Sequence, residues 1–535
     1  MTVLPKPSAA PADGEEPVPA PVARRGARGG VVGLAGAAVN GLCGFVLTAV
    51  ILRAFGAAGA GALFTAIALI SILGAVCCLG ADTGLVFAMS RRAPRDAARL
   101  LTVAVGPAIA VSLVVAAAGV TLAGALSPAL FDGGSPVDTD HVLLVRLAFA
   151  GVPVFVVSTL LLAAVRATRP VGAYVGVQFV LVPVARPLLI GGAVLLGGGV
   201  AAGTAGWLLP LGIAAVVAAL LVRPLGSAGG ASLRPQRADW RPFWSFALPR
   251  AASAAIDASS MWVGVLLTTA LAGPAQAGVF AAAGRYALAG LLVMQGLRVA
   301  VAPRLSRLLG AGRRAAAADL HRRTTRWIVV ASWPVYLLLA VFAPGFLELF
   351  GTPLRAGATP LAVLAAAMAV NVAVGLSQTV LLMSGNSRRH LLATAAGLTV
   401  TVVAGLLAVP RHGATGAAAA WALGIVVENL LAAAFAHRAL GHRLVTAGLV
   451  RVAATVAGLT GVAATVGLLV AGRGLAGLGV TLAVLAVGGP AALLDRRVRA
   501  AARTALATLR TAPAAPAGSS GPAGDKSATS QETAP

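Results

Sequence analysis

The sequence has few charged residues for its length. Asp, Glu, Lys and Arg make up only 11% of its 535 residues, whereas 59% are hydrophobic and the mean hydropathy is +0.92. A water-soluble fold of this size does not need so much apolar surface, but a bilayer core takes about 20 apolar residues per crossing helix. The shortage of charge therefore excludes a soluble globular protein and predicts a chain that crosses a membrane many times.

Aromatic residues and cysteines are also scarce. Aromatics make up 5% of the chain, so its basic residues, which give a formal net charge of +25, lack the stacking platforms typical of nucleic-acid binding. Cys43, Cys77 and Cys78 lie in apolar runs without metal-ligand spacing, and the six histidines are scattered. We expect no nucleic-acid partner, no disulfide framework and no metal site.

Sequence motifs of soluble enzymes are missing as well. No glycine-rich phosphate loop precedes a lysine, and no set of Ser, His and Asp is indicated by spacing. We predict that the chain is not an enzyme, has no catalytic residue and uses no cofactor. A remote alternative is a membrane-embedded glycosyltransferase, for which only Asp132, Asp138 and Asp140 of the loop 125–141 provide acidic residues.

The apolar runs predict an all-α, polytopic membrane protein with about fourteen transmembrane helices. The segments predicted to be cytoplasmic hold 31 of the 41 Lys and Arg residues, whereas the predicted outer loops hold only Arg53, Arg355, Arg411 and Arg473. Because basic residues are retained on the cytoplasmic side of a membrane, both termini are predicted to be cytoplasmic in a multi-pass protein of the cell (plasma) membrane.

An internal repeat relates the two halves of the chain. Gly56-x4-Gly61 of the first half recurs in the second half as Gly273-x4-Gly278, and the run from Gly203 to Trp207 recurs at nearly the same separation as the run from Gly416 to Trp421. The common separation predicts two six-helix lobes, followed by two C-terminal helices. An even number of helices per lobe gives both lobes the same orientation, as in transporters with parallel repeats.

The repeat sets the predicted domain boundaries. They are a disordered cytoplasmic tail at 1–29, a first lobe at 30–222, a basic cytoplasmic linker at 223–243, a second lobe at 244–437, two further helices at 438–497, and a cytoplasmic tail at 498–535 that is disordered at its end.

Several short motifs occur in series between residues 30 and 440. They are Ile51-Leu-Arg-Ala-Phe-Gly56, Leu79-Gly-Ala-Asp82-Thr-Gly-Leu85, Phe246-Ala-Leu-Pro249 with Asp257, Ala302-Pro303-Arg-Leu-Ser306, and Val409-Pro410-Arg-His-Gly413-Ala-Thr-Gly416. With these motifs the chain resembles the MOP superfamily of multidrug, oligosaccharidyl-lipid and polysaccharide exporters, in its O-antigen flippase-like branch. The resemblance implies two six-helix lobes around a central cleft. It departs from the drug exporters of that superfamily in having fewer acidic residues in the first lobe.

Polar and charged residues inside the predicted spans are the candidate site. A charge within a bilayer is costly and usually faces a cavity or a partner. The candidates for the substrate cleft are Arg186, Arg250, Asp257, Arg285, Asn40 and Glu428, and those for ion or proton coupling are Asp257 and Asp82. Arg186, between Pro183 and Pro187, is predicted to lie at a helix kink. The alternative is that these charges pair with each other and only fix the packing of the lobes.

The resemblance implies a function in polysaccharide biosynthesis of the cell envelope. Such a flippase carries a lipid-diphosphate-linked oligosaccharide from the inner to the outer leaflet by alternating access, and planar guanidinium groups hold a diphosphate well. We expect Arg186, Arg250 and Arg285 to make that contact. The expected partners are membrane lipid and the lipid-linked glycan, with a polysaccharide polymerase or assembly proteins as further candidates, and we expect a monomer. The alternative is a MATE-like drug or metabolite antiporter of the same fold, which predicts an acidic cleft.

Overall fold

The computed structural model describes residues 20–90, 94–132, 139–223, 236–441 and 446–494. Within these residues every regular element is helical and no strand occurs. The all-α architecture predicted from the apolar runs is therefore confirmed. Asp138 of the glycosyltransferase alternative and the predicted tail 498–535 lie outside the described residues.

Eight α-helices of the described residues make up the part of the chain that is predicted to be the first lobe. They are α1 (Ala20–Cys77), α2 (Ala81–Met89), α3 (Pro94–Thr121), α4 (Ala123–Ser127), α5 (Thr139–Thr168), α6 (Val171–Val175), α7 (Val182–Leu195) and α8 (Val200–Val222). Helix α5 lies at the centre of this lobe, because it packs against α1, α3 and α8. Short π-helical segments follow α4, at Pro128–Asp132, and α6, at Gly176–Leu181.

Ten further α-helices of the described part make up the predicted second lobe and the predicted C-terminal pair. They are α9 (Arg237–Ala272), α10 (Pro274–Ala289), α11 (Leu292–Gly310), α12 (Arg314–Val341), α13 (Ala343–Glu348), α14 (Ala358–Ala373), α15 (Ser377–Met383), α16 (Ser387–Leu440), α17 (Ala447–Ala471) and α18 (Leu475–Leu494). A 3-10 segment, Thr352–Gly357, precedes α14. Helix α16 packs against α9 and α14, while α17 packs against α12 and α18.

The number of membrane crossings follows from helix length. Ten helices of the described residues are long and apolar enough to cross a membrane, and α10 with the first part of α11 forms an eleventh span that is bent by 43°. The 43 residues of Ala35–Cys77 and the 54 residues of α16 are about 65 and 80 Å long at 1.5 Å per residue. Each is about twice the hydrocarbon thickness of a bilayer, so each contains two crossings. With the shorter apolar stretch Leu475–Gly488, this matches the predicted fourteen.

Two glycines make these doubled crossings possible. Gly56 within α1 and Gly413 within α16 have φ angles of +65° and +51°, and both interrupt the helical backbone. Because glycine lacks a Cβ atom, it adopts this left-handed region at little cost. The reversal of the chain between two crossings therefore takes place at one residue, where the sequence suggested a loop.

The structure shifts two predicted boundaries. Helix α1 begins at Ala20, within the segment 1–29 that was predicted to be a tail. Helix α9 begins at Arg237, within the predicted linker 223–243, of which residues 224–235 lie outside the described part. In both cases the helix extends beyond the apolar span into polar or basic sequence. Hydropathy locates the apolar span but does not show how far the helix continues beyond it.

Candidate functional site

A cavity of about 160 Å³ lies between the two lobes. It is lined by residues of α1, α7, α8, α9 and α10, which are Asn40, Gly44, Leu47, Thr48, Phe64, Ile67, Pro183, Arg186, Trp207, Trp262 and Arg285. Three of the sequence candidates, Asn40, Arg186 and Arg285, therefore meet in one place. None of the described residues that line this cavity is an Asp or Glu, so its formal charge is positive.

Arg186 enters the cavity from an irregular part of its span. The π-helical segment Gly176–Leu181 leads directly into α7, and Pro183 and Pro187 each remove a backbone donor from the helix. The guanidinium carbon of Arg186 lies 4.0 Å from the centroid of the Trp207 ring. Its Nε is buried and has no hydrogen-bond partner among the described residues. The ring stabilises the cation through its face and leaves the N–H donors available to an anion.

Arg285 enters the cavity from the second lobe. It lies on α10 and reaches Gly44 of α1, where a methyl group in place of the glycine hydrogen would overlap the guanidinium group. A larger residue at this position would therefore move the guanidinium group away from α1. Asn40 lies one turn before Gly44 and is exposed. In the part of the chain that the structure describes, neither Arg186 nor Arg285 forms an ion pair with a carboxylate.

Glu428 occupies a different environment, inside the second lobe. Its Oε1 accepts hydrogen bonds from Gln378 Nε2 at 2.9 Å and from Thr394 Oγ1 at 3.2 Å. Its side chain packs against Gly397. Two polar neighbours thus satisfy one carboxylate oxygen, and Glu428 is not among the residues that line the inter-lobe cavity.

Asp257 belongs to this second group of charges. It interacts electrostatically with His390 of α16 and with Arg250 of its own helix, and it also acts on Glu428. Arg250 and Asp257 are both exposed, and neither lines the inter-lobe cavity. The structure therefore separates Arg250 from Arg186 and Arg285, although the sequence analysis grouped the three arginines as one diphosphate contact.

Asp82 lies in a third place, a cavity of about 260 Å³ within the first lobe. The polar side chains that line it are Asp82, Thr83, Thr159, Arg166, Tyr174 and Gln178. The Oδ1 atom of Asp82 is buried without a hydrogen-bond partner among the described residues. Arg166 lies over the Tyr174 ring, 5.6 Å from its centroid. The predicted site residues are thus distributed over the inter-lobe cavity, the charged group around Glu428 and Asp257, and this mixed polar pocket.

The repeated glycine motifs touch each other across the lobe interface. A methyl group at Gly61 would overlap the backbone carbonyl of Pro274, and one at Gly278 would overlap the carbonyl of Ala57. Both pairs keep the separation of the repeat, so the contact has approximate two-fold symmetry. It lies at the membrane side that the arginine bias predicts to be outside, and it brings the lobes into backbone contact there.

At the opposite end, the lobes meet through α2 and α9. The Phe87 and Phe246 rings stack with centroids 4.2 Å apart, and Gly80 packs against the backbone of Ala247. Arg99 Nε and Asp239 Oδ2 lie 3.9 Å apart at the start of α9. The two lobes are therefore in contact at both ends of the central cavity.

The sequence analysis missed the two tryptophans that line the inter-lobe cavity, Trp207 and Trp262. Trp207 was noted only as the last residue of a repeat motif, and Trp262 carried no signal. Both tryptophans have amphipathic side chains and lie on apolar helices. On such a helix, the sequence pattern does not distinguish a tryptophan that lines a cavity from one that packs in the core. For Trp207 the usable signal was its recurrence as Trp421 at the same place in the second repeat.

Comparison with known proteins shows similarity in fold but not in sequence. No family model and no curated protein matches the chain.

Several solved structures share its fold. The lipid II flippase MurJ in an inward closed conformation is 12% identical, with 85% of this chain and 98% of that chain covered and a TM-score of 0.65. A multidrug resistance MATE family transporter of the MOP superfamily in an inward-facing conformation is 16% identical, with 77% and 98% covered and a TM-score of 0.58.

A third solved structure with this fold is a MOP superfamily transporter from Pyrococcus furiosus. The reverse polarity of that protein's binding pocket suggests a different function for it. It is 17% identical, with 77% and 94% covered and a TM-score of 0.54. The chain therefore has the multi-pass fold of MOP superfamily transporters, as the series of short motifs predicted.

Proposed function

We propose that the protein is a flippase that carries a lipid-linked oligosaccharide from the inner to the outer leaflet of the cell membrane. The observation that carries this proposal is the composition of the inter-lobe cavity. Each lobe contributes one guanidinium group to it, from Arg186 and Arg285, and no carboxylate is among its described lining residues. A positively charged site in a low-dielectric interior favours an anionic substrate group over a cationic drug.

The chemistry of the cavity fits a diphosphate linkage. Arginine presents a planar fork of N–H donors that pairs with phosphate oxygens. Because Arg186 and Arg285 belong to different lobes, a phosphate group that contacts both gains binding energy only at particular lobe positions. A ligand shifts a conformational equilibrium by its difference in affinity between the states, so such a contact links substrate binding to movement of the lobes.

The contacts between the lobes support alternating access. The glycine contact at Gly61 and Gly278 is a close backbone approach. It lies beside buried apolar residues of both lobes, such as Leu63 and Phe280, so opening at this end exposes apolar surface as well as backbone. In the orientation that the arginine bias predicts, opening at this end releases a substrate to the outer leaflet. With this orientation, the proposal has both termini in the cytoplasm and the protein in the plasma membrane.

The carboxylates of the second lobe support a role in coupling. Asp257 interacts with both His390 and Glu428, and none of the three lines the inter-lobe cavity, as expected of groups that exchange a proton or bind an ion without touching the substrate. Asp82 in the first lobe is the other candidate for this role. The same carboxylates favour the alternative function, a MATE-like antiporter of drugs or metabolites, because a cationic substrate would bind next to them.

Transport in reconstituted liposomes tests the proposal. The purified chain is compared with Arg285→Gln for movement of a fluorescent polyprenyl-diphosphate-linked oligosaccharide and for uptake of a cationic dye. We expect transport of the lipid-linked glycan that Arg285→Gln reduces, with no dye uptake. Dye uptake that depends on Asp257, together with no movement of the glycan, would establish the antiporter instead.

A further inference from the structure

We infer that the second lobe holds a separate site for a phosphate-bearing anion, most directly the headgroup of an anionic phospholipid. The site, which we call the arginine pocket, lies at the helix ends of the second lobe and not in the inter-lobe cavity. The inference goes beyond the proposed function, because it does not depend on which substrate the protein carries.

The arginine pocket is a cavity of about 410 Å³. Its lining residues are Leu309, Gly310, Arg314, Met383, Ser384, Asn386, Arg389, Arg438 and Ala439. Three guanidinium groups come from three different places, the start of α12, the start of α16 and the end of α16. The two ends of α16 meet here because the helix reverses at Gly413. Sequence neighbours alone do not bring these arginines together.

The three arginines lack acidic partners in the described residues. Arg314, Arg389 and Arg438 form no ion pair there, and no Asp or Glu lines the pocket. Elsewhere on α12 the situation differs, since Arg322 and Arg323 lie 2.9 and 3.2 Å from the carboxylate oxygens of Asp319. Within the described residues, the carboxylate of Asp319 thus neutralises charge on Arg322 and Arg323, whereas no carboxylate neutralises the three arginines of the pocket.

The helix ends at the pocket add to this positive potential. Helices α12 and α16 both begin there, and neither has an acidic residue in its first turn. The N-terminus of a helix carries a partial positive charge that normally favours acidic side chains. Here Arg314 and Arg389 occupy those positions, so repulsion remains unless an external anion is present.

The shape of the pocket favours a lipid headgroup. Leu309, Met383 and Ala439 line part of it, and these apolar residues suit the first carbons of a glycerol or acyl chain. The polar part is held by Asn386, whose Nδ2 donates a hydrogen bond to Ser384 Oγ at 2.9 Å. The pocket lies at the ends of spans on the side that the arginine bias predicts to be cytoplasmic, where basic pockets between helices bind anionic lipid headgroups.

Thermal stabilisation of the full-length protein tests the inference. The purified chain in a neutral detergent is titrated with phosphatidylglycerol, with phosphatidylcholine and with inorganic phosphate, and its unfolding midpoint is followed. We expect a saturable rise in the midpoint with phosphatidylglycerol and none with phosphatidylcholine. A saturable rise with inorganic phosphate alone, if the pocket variants lose it, supports the site but assigns it to a free phosphate. Equal responses to both lipids, and none to phosphate, would overturn it.

Paired variants locate the effect. The double variant Arg389→Gln/Arg438→Gln is expected to weaken the phosphatidylglycerol response about tenfold or more, because charge-assisted hydrogen bonds to two guanidinium groups are lost. The double variant Arg322→Gln/Arg323→Gln removes the same charge from the same lobe outside the pocket and should retain the response. If the first double variant does not fold, Arg438→Lys keeps the charge but loses the planar fork and should weaken the response alone. Equal affinities in all variants would show that the anion binds elsewhere.

Discussion

Trp207 and Trp421 hold matching positions in the two repeats, but their surroundings differ. The face of the Trp207 ring carries the guanidinium group of Arg186 at 4.0 Å. The Trp421 ring instead lies 6.0 Å from the Phe280 ring, in an edge-on contact. The two lobes have kept the same aromatic position while only one of them uses it to hold a charge. The repeat therefore describes the scaffold and not the site.

The same contrast appears in how the lobes hold their charged groups. Arg186 has an aromatic neighbour and no carboxylate among the described residues, whereas Glu428 has hydrogen bonds from Gln378 and Thr394. The separation that relates the glycine motifs also pairs Arg285 with Ala68, a buried residue without charge. We interpret the arginines as free to bind an external anion and the carboxylate as held for an internal role.

The largest effect that this contrast predicts follows from removing the two arginines of the inter-lobe cavity. The double variant Arg186→Gln/Arg285→Gln should lower flipping of a diphosphate-linked glycan by about a hundredfold, since each hydrogen-bonded charge contributes about 1.5–3 kcal/mol. Rates in reconstituted liposomes provide the measurement. Arg451→Gln on the exposed face of α17 is the matched control and should be unchanged. A similar loss in both variants would mean that general charge, and not this cavity, is responsible.

The contact between the repeats should be the next most sensitive feature. Gly61→Ala would place a methyl group against the Pro274 carbonyl, and overpacking of this kind costs about 1–3 kcal/mol. We expect the lobes to separate at that end, which raises the reactivity of a cysteine introduced at Thr65 in a background without the native cysteines.

Gly212→Ala on α8 is the control for this variant. A methyl group there meets no atom within 4 Å, so thiol labelling should match that of the parent and the unfolding midpoint should be equal or higher. If Gly61→Ala also matched the parent in both measurements, the close approach of the two repeats would not constrain the lobes.

A smaller effect is expected at the two tryptophans. Trp207→Leu removes a cation–π contact of about 0.5–2 kcal/mol and should lower the affinity for a polyprenyl diphosphate about threefold to thirtyfold. Trp421→Leu changes the same residue type at the matching position of the other repeat and should stay within about twofold. Equal losses from the two variants would break the comparison on which the assignment of the first lobe rests.

The smallest effect on binding is expected at the carboxylate. Glu428→Gln keeps an oxygen that accepts from Gln378 and Thr394, so the lobe should fold and bind polyprenyl diphosphate within about twofold of the parent. Transport driven by a proton or sodium gradient should instead lose its dependence on that gradient. A strong loss of diphosphate affinity in this variant would place Glu428 in the substrate site.

Much of the fold was predictable because apolar length and arginine bias are properties of single segments. The all-α, multi-pass architecture is confirmed, and Asn40, Arg186 and Arg285 do meet in one cavity. The separation of Arg250 and Asp257 from that cavity was not predictable. Spacing along α9 shows that these two side chains share a face, but it does not show which neighbouring helix that face meets.

Helix α9 illustrates this limit. Asp257 faces His390 of α16, whereas Trp262 of the same helix lines the inter-lobe cavity. Five residues correspond to a rotation of about 140° around a helix, so one helix serves two sites. Which of the two faces the cleft is set by the rotation of α9 against both lobes, and that rotation depends on packing between residues far apart in sequence.

Equilibrium binding to the purified protein tests the central claim most directly. Polyprenyl diphosphate and the cation tetraphenylphosphonium are titrated against the parent, Arg186→Gln/Arg285→Gln and Asp257→Asn, and binding is followed by native mass spectrometry. The account predicts that the diphosphate binds to the parent and to Asp257→Asn but not to the double arginine variant. Tight binding of the cation that is lost in Asp257→Asn, with no diphosphate binding that depends on the arginines, would contradict it.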